Sequence, residues 1–230
     1  MEVNEPCAET QPPADAPSGA GVAGDDACAQ ATCTLDGSVF LVGMMGAGKT
    51  SVGRLLAQRL GKRFIDADHE IEARCGVSIP VIFEIEGEAG FRQRERQVID
   101  ELTTLPDIVL ATGGGAVLSE ESRRSLHDRG LVVYLKASAA EIWHRTRRDR
   151  SRPLLSTPDP QQRILDLLAA REPLYAETAH LTVESTHESV KSMVTRLAEQ
   201  LADRQRAGAE TDTATGLQTR SLTASDTESR

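Results

Sequence analysis

No stretch of this chain is apolar for long enough to cross a membrane, and its start has neither the basic n-region nor the apolar h-region of a secretory signal. The first 36 residues contain no lysine or arginine and seven acids, the opposite of a transit peptide. Only four cysteines occur (Cys7, Cys28, Cys33 and Cys75), and no Cys/His group has the spacing of a zinc site. They read as free thiols of a reducing cytosol, a Cys28–Cys33 disulfide being the alternative. There is no internal repeat. Large apolar residues are almost missing before Asp36 and scarce after Ala207, so neither end can bury enough surface to offset the entropy of ordering it. The expected organisation is an acidic N-terminal extension (1–36), one domain (37–207) and a disordered C-terminal tail (208–230).

Net charge follows the same division. The formal −9 is carried by the ends, −7 before residue 37 and −2 after residue 207, leaving 24 basic and 24 acidic residues between them. A domain so balanced gives no electrostatic support for binding nucleic acid.

The informative stretch lies at 43–50. Gly43-Met44-Met45-Gly46-Ala47-Gly48-Lys49-Thr50 has a glycine, four free positions and then Gly-Lys-Thr, and it follows the apolar run Val39–Val42 and precedes a helical pattern. A backbone that wraps a phosphate must turn its N–H groups inward, which glycines at 43, 46 and 48 permit. The helix N-terminus near Lys49 adds positive potential, Lys49 would reach the outer phosphates, and the Thr50 hydroxyl would hold Mg²⁺.

The rest of the chain alternates strands and helices. Val52, Leu55, Leu56 and Leu60 share a helical face that stops at Gly61, and Phe64-Ile65 make a short strand ending at Asp66-Ala67-Asp68. A helix from Asp68 to about Cys75 comes next, then one capped by Ser78 with Pro80 in its first turn, broken at Gly87 and Gly90 and resumed from Phe91 to Leu102. Ile108–Ala111 reads as a buried strand running into Thr112-Gly113-Gly114-Gly115. Three glycines in a row mean a very tight turn or a close approach to the backbone. Ser119 caps a helix, Leu131–Leu135 is a strand, and a helix covers Ala139 to Arg147. The basic stretch from Arg148 to Pro160 reads as a mobile loop. A helix from Gln161 to Arg171 should end before Pro173, followed by a strand at His180–Val183 and a final helix at Ser189–Ala207. Such alternation argues for a parallel sheet covered on both faces.

The Asp66/Asp68 pair, the triple glycine, Arg92 in Gly90-Phe91-Arg92, Arg152 in Arg152-Pro153-Leu154-Leu155 and Arg171 in Arg171-Glu172-Pro173-Leu174-Tyr175 together resemble shikimate kinase, over roughly Ser38 to Val183. The resemblance implies an α/β P-loop kinase fold with five parallel strands in the order 2-3-1-4-5 and a lid at about 148–160. It implies phosphorylation of the shikimate 3-hydroxyl by ATP, in the pathway to chorismate and the aromatic amino acids. It also implies roles. Gly46, Ala47, Gly48, Lys49, Thr50 and Ser51 would bind the nucleotide, with Arg145 at the lid's root and Arg152 on the lid. Thr50 and Asp66 would hold Mg²⁺. Asp68 would bind ring hydroxyls and accept a proton, Arg92 and Arg171 would clamp the carboxylate, and Gly113, Gly114 and Gly115 would line the substrate, Gly114 through its N–H. Lys49, Asp68 and Arg152 are the expected catalytic residues.

Singly, these residues have plainer readings: Arg92 in a salt-bridged helix face beside Glu88 and Glu95, Arg171 as a cation ending a helix, Asp66 or Asp68 as a helix cap, the lid arginines as a solvated charge run. Trp143, Tyr175 and the five histidines read as structural. The segment Glu184–Ser189, which would follow the fifth strand beside the adenine, has no arginine, so no adenine contact is assigned. Alternatives are gluconate kinase or another small-metabolite kinase, and a nucleotide-binding relative without turnover. The expected protein is a cytoplasmic monomer acting on small molecules, with no nucleic-acid or membrane partner.

Overall fold

A computed structural model describes residues 35–147, 153–155, 157–185 and 188–221, with residues 153 and 208–221 by backbone alone. Its frame is a five-stranded, all-parallel sheet in the order β2-β3-β1-β4-β5. The strands are β1 (Val39–Val42), β2 (Arg63–Asp66), β3 (Ile108–Ala111), β4 (Leu131–Lys136) and β5 (Leu181–Glu184). The helices are α1 (Lys49–Leu60), α2 (Ala67–Cys75), α3 (Ile79–Leu102), α4 (Glu120–Arg129), α5 (Ala139–Thr146), α6 (Pro160–Thr178) and α7 (Val190–Ser221), with short 3-10 turns at Ala116–Leu118 and Pro153–Leu155.

Strand alternation sorts the apolar residues into two cores. Val39 and Leu41 of β1, with Val133 and Leu135 of β4, pack with Val52 and Leu56 of α1, Ile142 of α5 and Leu197 of α7. Phe40, Val42, Val132 and Tyr134 face the other way, onto Ile71 of α2, Ile99 of α3 and Leu126 of α4. Every residue of β1 is buried, as a central parallel strand requires. Gly53 exists for this packing, because a Cβ there would lie 2.7 Å from Phe64 Cε2.

Register decides what meets at the edge. Leu41 and Asp66 both pair with Ala111, so β1, β2 and β3 end level and release the 43–48 loop, the Asp66–Asp68 segment and the Thr112–Gly115 loop side by side. The sheet order turns at β1, where open α/β sheets bind ligands outside the carboxyl ends of their strands. Thr112 fastens the glycine loop to β1, giving both its N–H (3.1 Å) and its hydroxyl (3.0 Å) to Leu41 O.

Four sequence expectations change here. First, α6 does not stop before Pro173 but continues through it to Thr178. Proline costs the helix one N–H bond, and the deeply buried Tyr175 and Thr178 hold the extra turns in place. Second, only Gly87 interrupts α3, with φ 69°; Gly90 is helical, and a Cβ there would meet Glu86 Cβ at 2.6 Å. Across this kink Arg94 holds Glu86 with a two-pronged ion pair (2.8 and 2.6 Å), and Phe83 lies on Phe91 with ring centroids 4.8 Å apart. Third, the acidic extension ends earlier than its composition suggests. Leu35 is buried in the first core, and Asp36 and Gln205 exchange two hydrogen bonds (3.2 and 2.7 Å). Fourth, the backbone of α7 is helical beyond Ala207, to Ser221.

The β4–β5 edge carries a titratable contact. The Val132 N–H donates to His180 Nδ1 (3.0 Å), which requires that nitrogen to be unprotonated, and His127 stacks on the ring at a centroid distance of 4.2 Å. Burial, then the neighbouring His127 and Arg204, hold the His180 pKa below its usual value, against a weaker opposing pull from Asp128. The unfolded chain therefore binds more protons than the folded one just below the ordinary histidine pKa of about 6.5, so this contribution is complete above that pH and is lost as pH falls. Thermal melts from about pH 7.5 to pH 5 should show a falling Tm, and His180→Phe should flatten that dependence. An equal slope in both proteins would place the acid sensitivity elsewhere.

Candidate active site

The phosphate loop is held open by its carbonyl partners. Inward N–H groups require outward carbonyls, and each buried carbonyl needs a donor. Lys49, only 8% exposed, gives its ammonium to Gly43 O (2.8 Å) and Met44 O (2.9 Å). Gly46 O accepts from Arg145 Nη1 (3.2 Å), Ala47 O from the Ser185 hydroxyl (3.1 Å), and Gly48 O from the Val52 N–H (2.9 Å). Gly43, Gly46 and Gly48 all have positive φ. A Cβ on Gly43 would also stand 2.6 Å from Leu135 O, so the loop enters against β4 with no room to spare. Ser51 is exposed in the first turn of α1.

Asp66 does two things at once. Its Oδ1 caps α2, accepting from the Asp68 N–H (3.1 Å) and the His69 N–H (3.4 Å), while Oδ2 accepts from the Thr50 hydroxyl (2.7 Å). Capping and metal binding are thus compatible readings, one oxygen each. A hydroxyl and a carboxylate oxygen in contact at the mouth of a phosphate loop fit Mg²⁺, a hard cation that takes few protein ligands and completes its shell with phosphate and water. Among the described residues no group of three or more His, Cys, Asp or Glu side chains forms a metal cage.

Beside the loop opens a cavity of about 430 Å³, and Thr50, Asp66, Asp68, Arg92, Glu95 and Arg171 all line it. The sheet edge thereby gathers residues far apart in sequence. Arg171 projects from α6 and is only 3% exposed; its Nη1 donates to Gly114 O (3.2 Å), which also accepts from the Tyr175 hydroxyl (2.5 Å). Desolvation keeps the Tyr175 phenol well above its ordinary pKa, so it remains a donor. The helical turns beyond Pro173 therefore matter, because they bring Tyr175 onto the glycine loop. With that carbonyl anchored, the peptide between Gly114 and Gly115 is fixed, and its N–H belongs to Gly115.

Why three glycines stand there is now visible. None of Gly113, Gly114 and Gly115 has positive φ, so conformational freedom is not the reason. A Cβ on Gly113 would lie 2.4 Å from Glu95 Oε1 and 2.7 Å from Asp68 Oδ1. On Gly114 it would lie 3.1 Å from Met45 N, and on Gly115 it would lie 2.0 Å from Arg92 Nη1. The loop is bare so that charged side chains can close over it. Gly115→Ala should therefore push the Arg92 guanidinium aside and raise the KM of a carboxylate-bearing substrate roughly tenfold, the value of one charge-assisted hydrogen bond, with the Tm little changed. An unchanged KM would mean that Arg92 does not contact the substrate.

Glu95 is the residue that sequence reading passed over. It appears there as one more charge on an exposed helix face, but it is 2% exposed. Its Oε2 accepts from Arg92 Nη1 (2.6 Å), and its buried Oε1 has no hydrogen-bond partner among the described residues. Burial raises its pKa and the Asp68 charge adds to this, against the pull of Arg92 and Arg171. Arg92 is also bonded to Glu88 Oε1 from Nη2 (3.1 Å), so the salt-bridged face is real and also borders the cavity. The one available signal was the spacing of Glu95 from the apolar positions Phe91, Val98 and Ile99, which puts it on the buried face of α3. Arg152 and the basic stretch 148–152 lie outside the described residues; Leu154, in the turn that follows, reaches the cavity.

A family model described as Shikimate kinase matches residues 45–202. A shikimate kinase from Bordetella avium (strain 197N) is 63% identical over 147 residues, 64% of this chain and 70% of the relative. One from Burkholderia pseudomallei (strain 1710b) is 57% identical over 164 residues, 71% of this chain and 89% of the relative. Among solved structures, shikimate kinase from Acinetobacter baumannii in complex with shikimate superposes with a TM-score of 0.73 at 47% identity, covering 76% of this chain and 97% of that one.

Proposed function

This chain belongs to the shikimate kinase family, and on that premise we propose that it transfers the γ-phosphoryl group of ATP to the 3-hydroxyl of shikimate, giving shikimate 3-phosphate and ADP. The observation that carries the reading is the shared edge. A phosphate loop ending in Lys49 and Thr50 opens beside one cavity lined by an acid, Asp68, and two guanidinium groups, Arg92 and Arg171.

The division of labour follows from the chemistry of each partner. Phosphoryl transfer needs alignment and charge neutralisation more than covalent help. Lys49 and the N-terminus of α1 supply positive potential to the phosphates, with Arg152 as the further cation from the lid. Thr50 and Asp66 would hold Mg²⁺, which when bound neutralises charge on the outer phosphate oxygens. Shikimate brings a carboxylate and several hydroxyls. Arg92 and Arg171 present forked donors to the carboxylate, and Glu95 keeps the Arg92 fork from rotating away. Asp68 accepts the proton of the 3-hydroxyl as that oxygen attacks the γ-phosphorus and the bond to the bridging oxygen of ADP breaks. Gly113, Gly114 and Gly115 line the same cavity, which supports a backbone N–H of that loop as the donor to a ring hydroxyl. Arg145 acts at the nucleotide through the carbonyls of the phosphate loop.

The same reading places the protein in the cytoplasm as a monomer acting on small molecules. The balanced charge of the domain supports the absence of a nucleic-acid partner, and among the described residues no helix is long and apolar enough to cross a membrane.

ADP release measured with shikimate and with gluconate in parallel tests the reading. Shikimate-dependent ADP formation is expected; turnover of gluconate alone, or ATP binding with no turnover of shikimate, would overturn it.

A further inference from the structure

We propose that Ser185 is a positioning residue for ATP, acting through the phosphate loop from the end of β5. This rests on the reading that the loop takes ATP. The residue sits just beyond the last strand, in the segment for which the sequence suggests no nucleotide contact, yet it is 3% exposed and tied on every side. Its N–H donates to Lys136 O (2.7 Å), fixing it to the end of β4. The hydroxyl donates to Ala47 O (3.1 Å) and accepts from Arg145 Nη1 (2.9 Å), while Arg145 Nη2 reaches Ser185 O (3.4 Å). Arg145 Nη1 also lies against Gly46 O (3.2 Å) and Ala47 O (3.5 Å).

The carbonyl accounting of the loop makes this more than a packing contact. Lys49 serves the carbonyls at the loop's entry, Gly43 and Met44. Those at its apex, Gly46 and Ala47, rely on Arg145 and Ser185. Each outward carbonyl belongs to a peptide whose N–H points the opposite way. The Ala47 N–H closes the loop's own turn onto Met44 O (3.1 Å), so holding the Ala47 carbonyl outward is what turns the Gly48 N–H toward the phosphates. Arg145 reaches the loop on a long side chain that Glu141 also holds (3.7 Å), whereas the Ser185 hydroxyl stands on a short, buried stem between the arginine and the loop and bonds to both. The apex has no other slack, since a Cβ on Gly46 would lie 2.7 Å from Thr146 Cγ2 of α5.

Removing the hydroxyl lets the loop leave its binding-competent form, and apparent affinity falls in proportion to the fraction still competent. Ser185→Val and Ser185→Thr have nearly the same shape and differ in the hydroxyl. The valine variant should raise the ATP KM about tenfold and weaken binding of a non-hydrolysable ATP analogue equally, with the shikimate KM within about twofold of the parent. The threonine variant should keep both ATP values close to the parent. Equal behaviour of the two variants, or parallel rises in both substrate KM values with a lower Tm, would overturn the assignment. If the parent chain shows no shikimate-dependent ADP formation, the proposed function fails; analogue binding to the two variants still decides the role of Ser185.

Discussion

Asp68→Asn should lower kcat by roughly 10²- to 10⁴-fold, the usual range for a lost general base, while the shikimate KM changes far less and the fold persists. The substitution is nearly isosteric and lies in the first turn of α2. The cap of that helix is the Asp66 side chain, and it uses the residue-68 backbone N–H, which asparagine retains. What changes is the acceptor, because an amide oxygen cannot take a proton from a hydroxyl at neutral pH. Steady-state kinetics with a thermal melt would separate the cases. Near-full turnover in the variant would remove Asp68 as the base and leave the attacking hydroxyl to lose its proton to solvent or phosphate.

Arg171→Lys should raise the shikimate KM by roughly ten- to 150-fold, corresponding to about 1.5–3 kcal/mol for hydrogen bonds to a charged group, with a much smaller effect on kcat. Lysine keeps the charge and loses the planar fork that meets a carboxylate with two parallel bonds. Alanine is the poorer test, since Arg171 is nearly fully buried and its loss would leave a cavity as well as a missing contact. The glycine loop should survive the lysine variant because Tyr175 also holds Gly114 O. The diagnostic is the split between parameters: a carboxylate clamp engaged equally in the ground and transition states moves KM, and a group that meets only the transferred phosphoryl moves kcat. A lysine variant with unchanged shikimate KM would mean that the carboxylate lies elsewhere.

These expectations differ in how far the sequence could have led to them. The roles proposed for Lys49 and Thr50 rest on a local motif; that of Asp66 comes from the family resemblance, and the fold brings its carboxylate onto the Thr50 hydroxyl. Arg92 was ambiguous for a physical reason. Its helical neighbours at three and four residues make the ion pairs of an ordinary exposed face, and only the burial of Glu95 shows that one of those partners lies inside. Pro173 misled because local sterics were allowed to outvote tertiary packing, although Tyr175 and Thr178 bury enough surface to carry α6 through it. The triple glycine was legible as a close approach, but not what approaches. Asp68, Glu95 and Arg92 come from two other helices, and no spacing along the chain states that distance.

By itself the sequence determined the alternation of strands and helices, the phosphate loop and the division of net charge, since each follows from residues that are neighbours on the chain. Tertiary structure alone decided that Arg171 reaches the glycine loop, that Glu95 is buried behind Arg92, and that Ser185 closes the apex of the phosphate loop from β5. Those contacts depend on the lateral order of the strands and the level at which they end. Hydrogen-bond register between strands and the packing of helices on two faces set both, and these are interactions among residues that the chain keeps far apart.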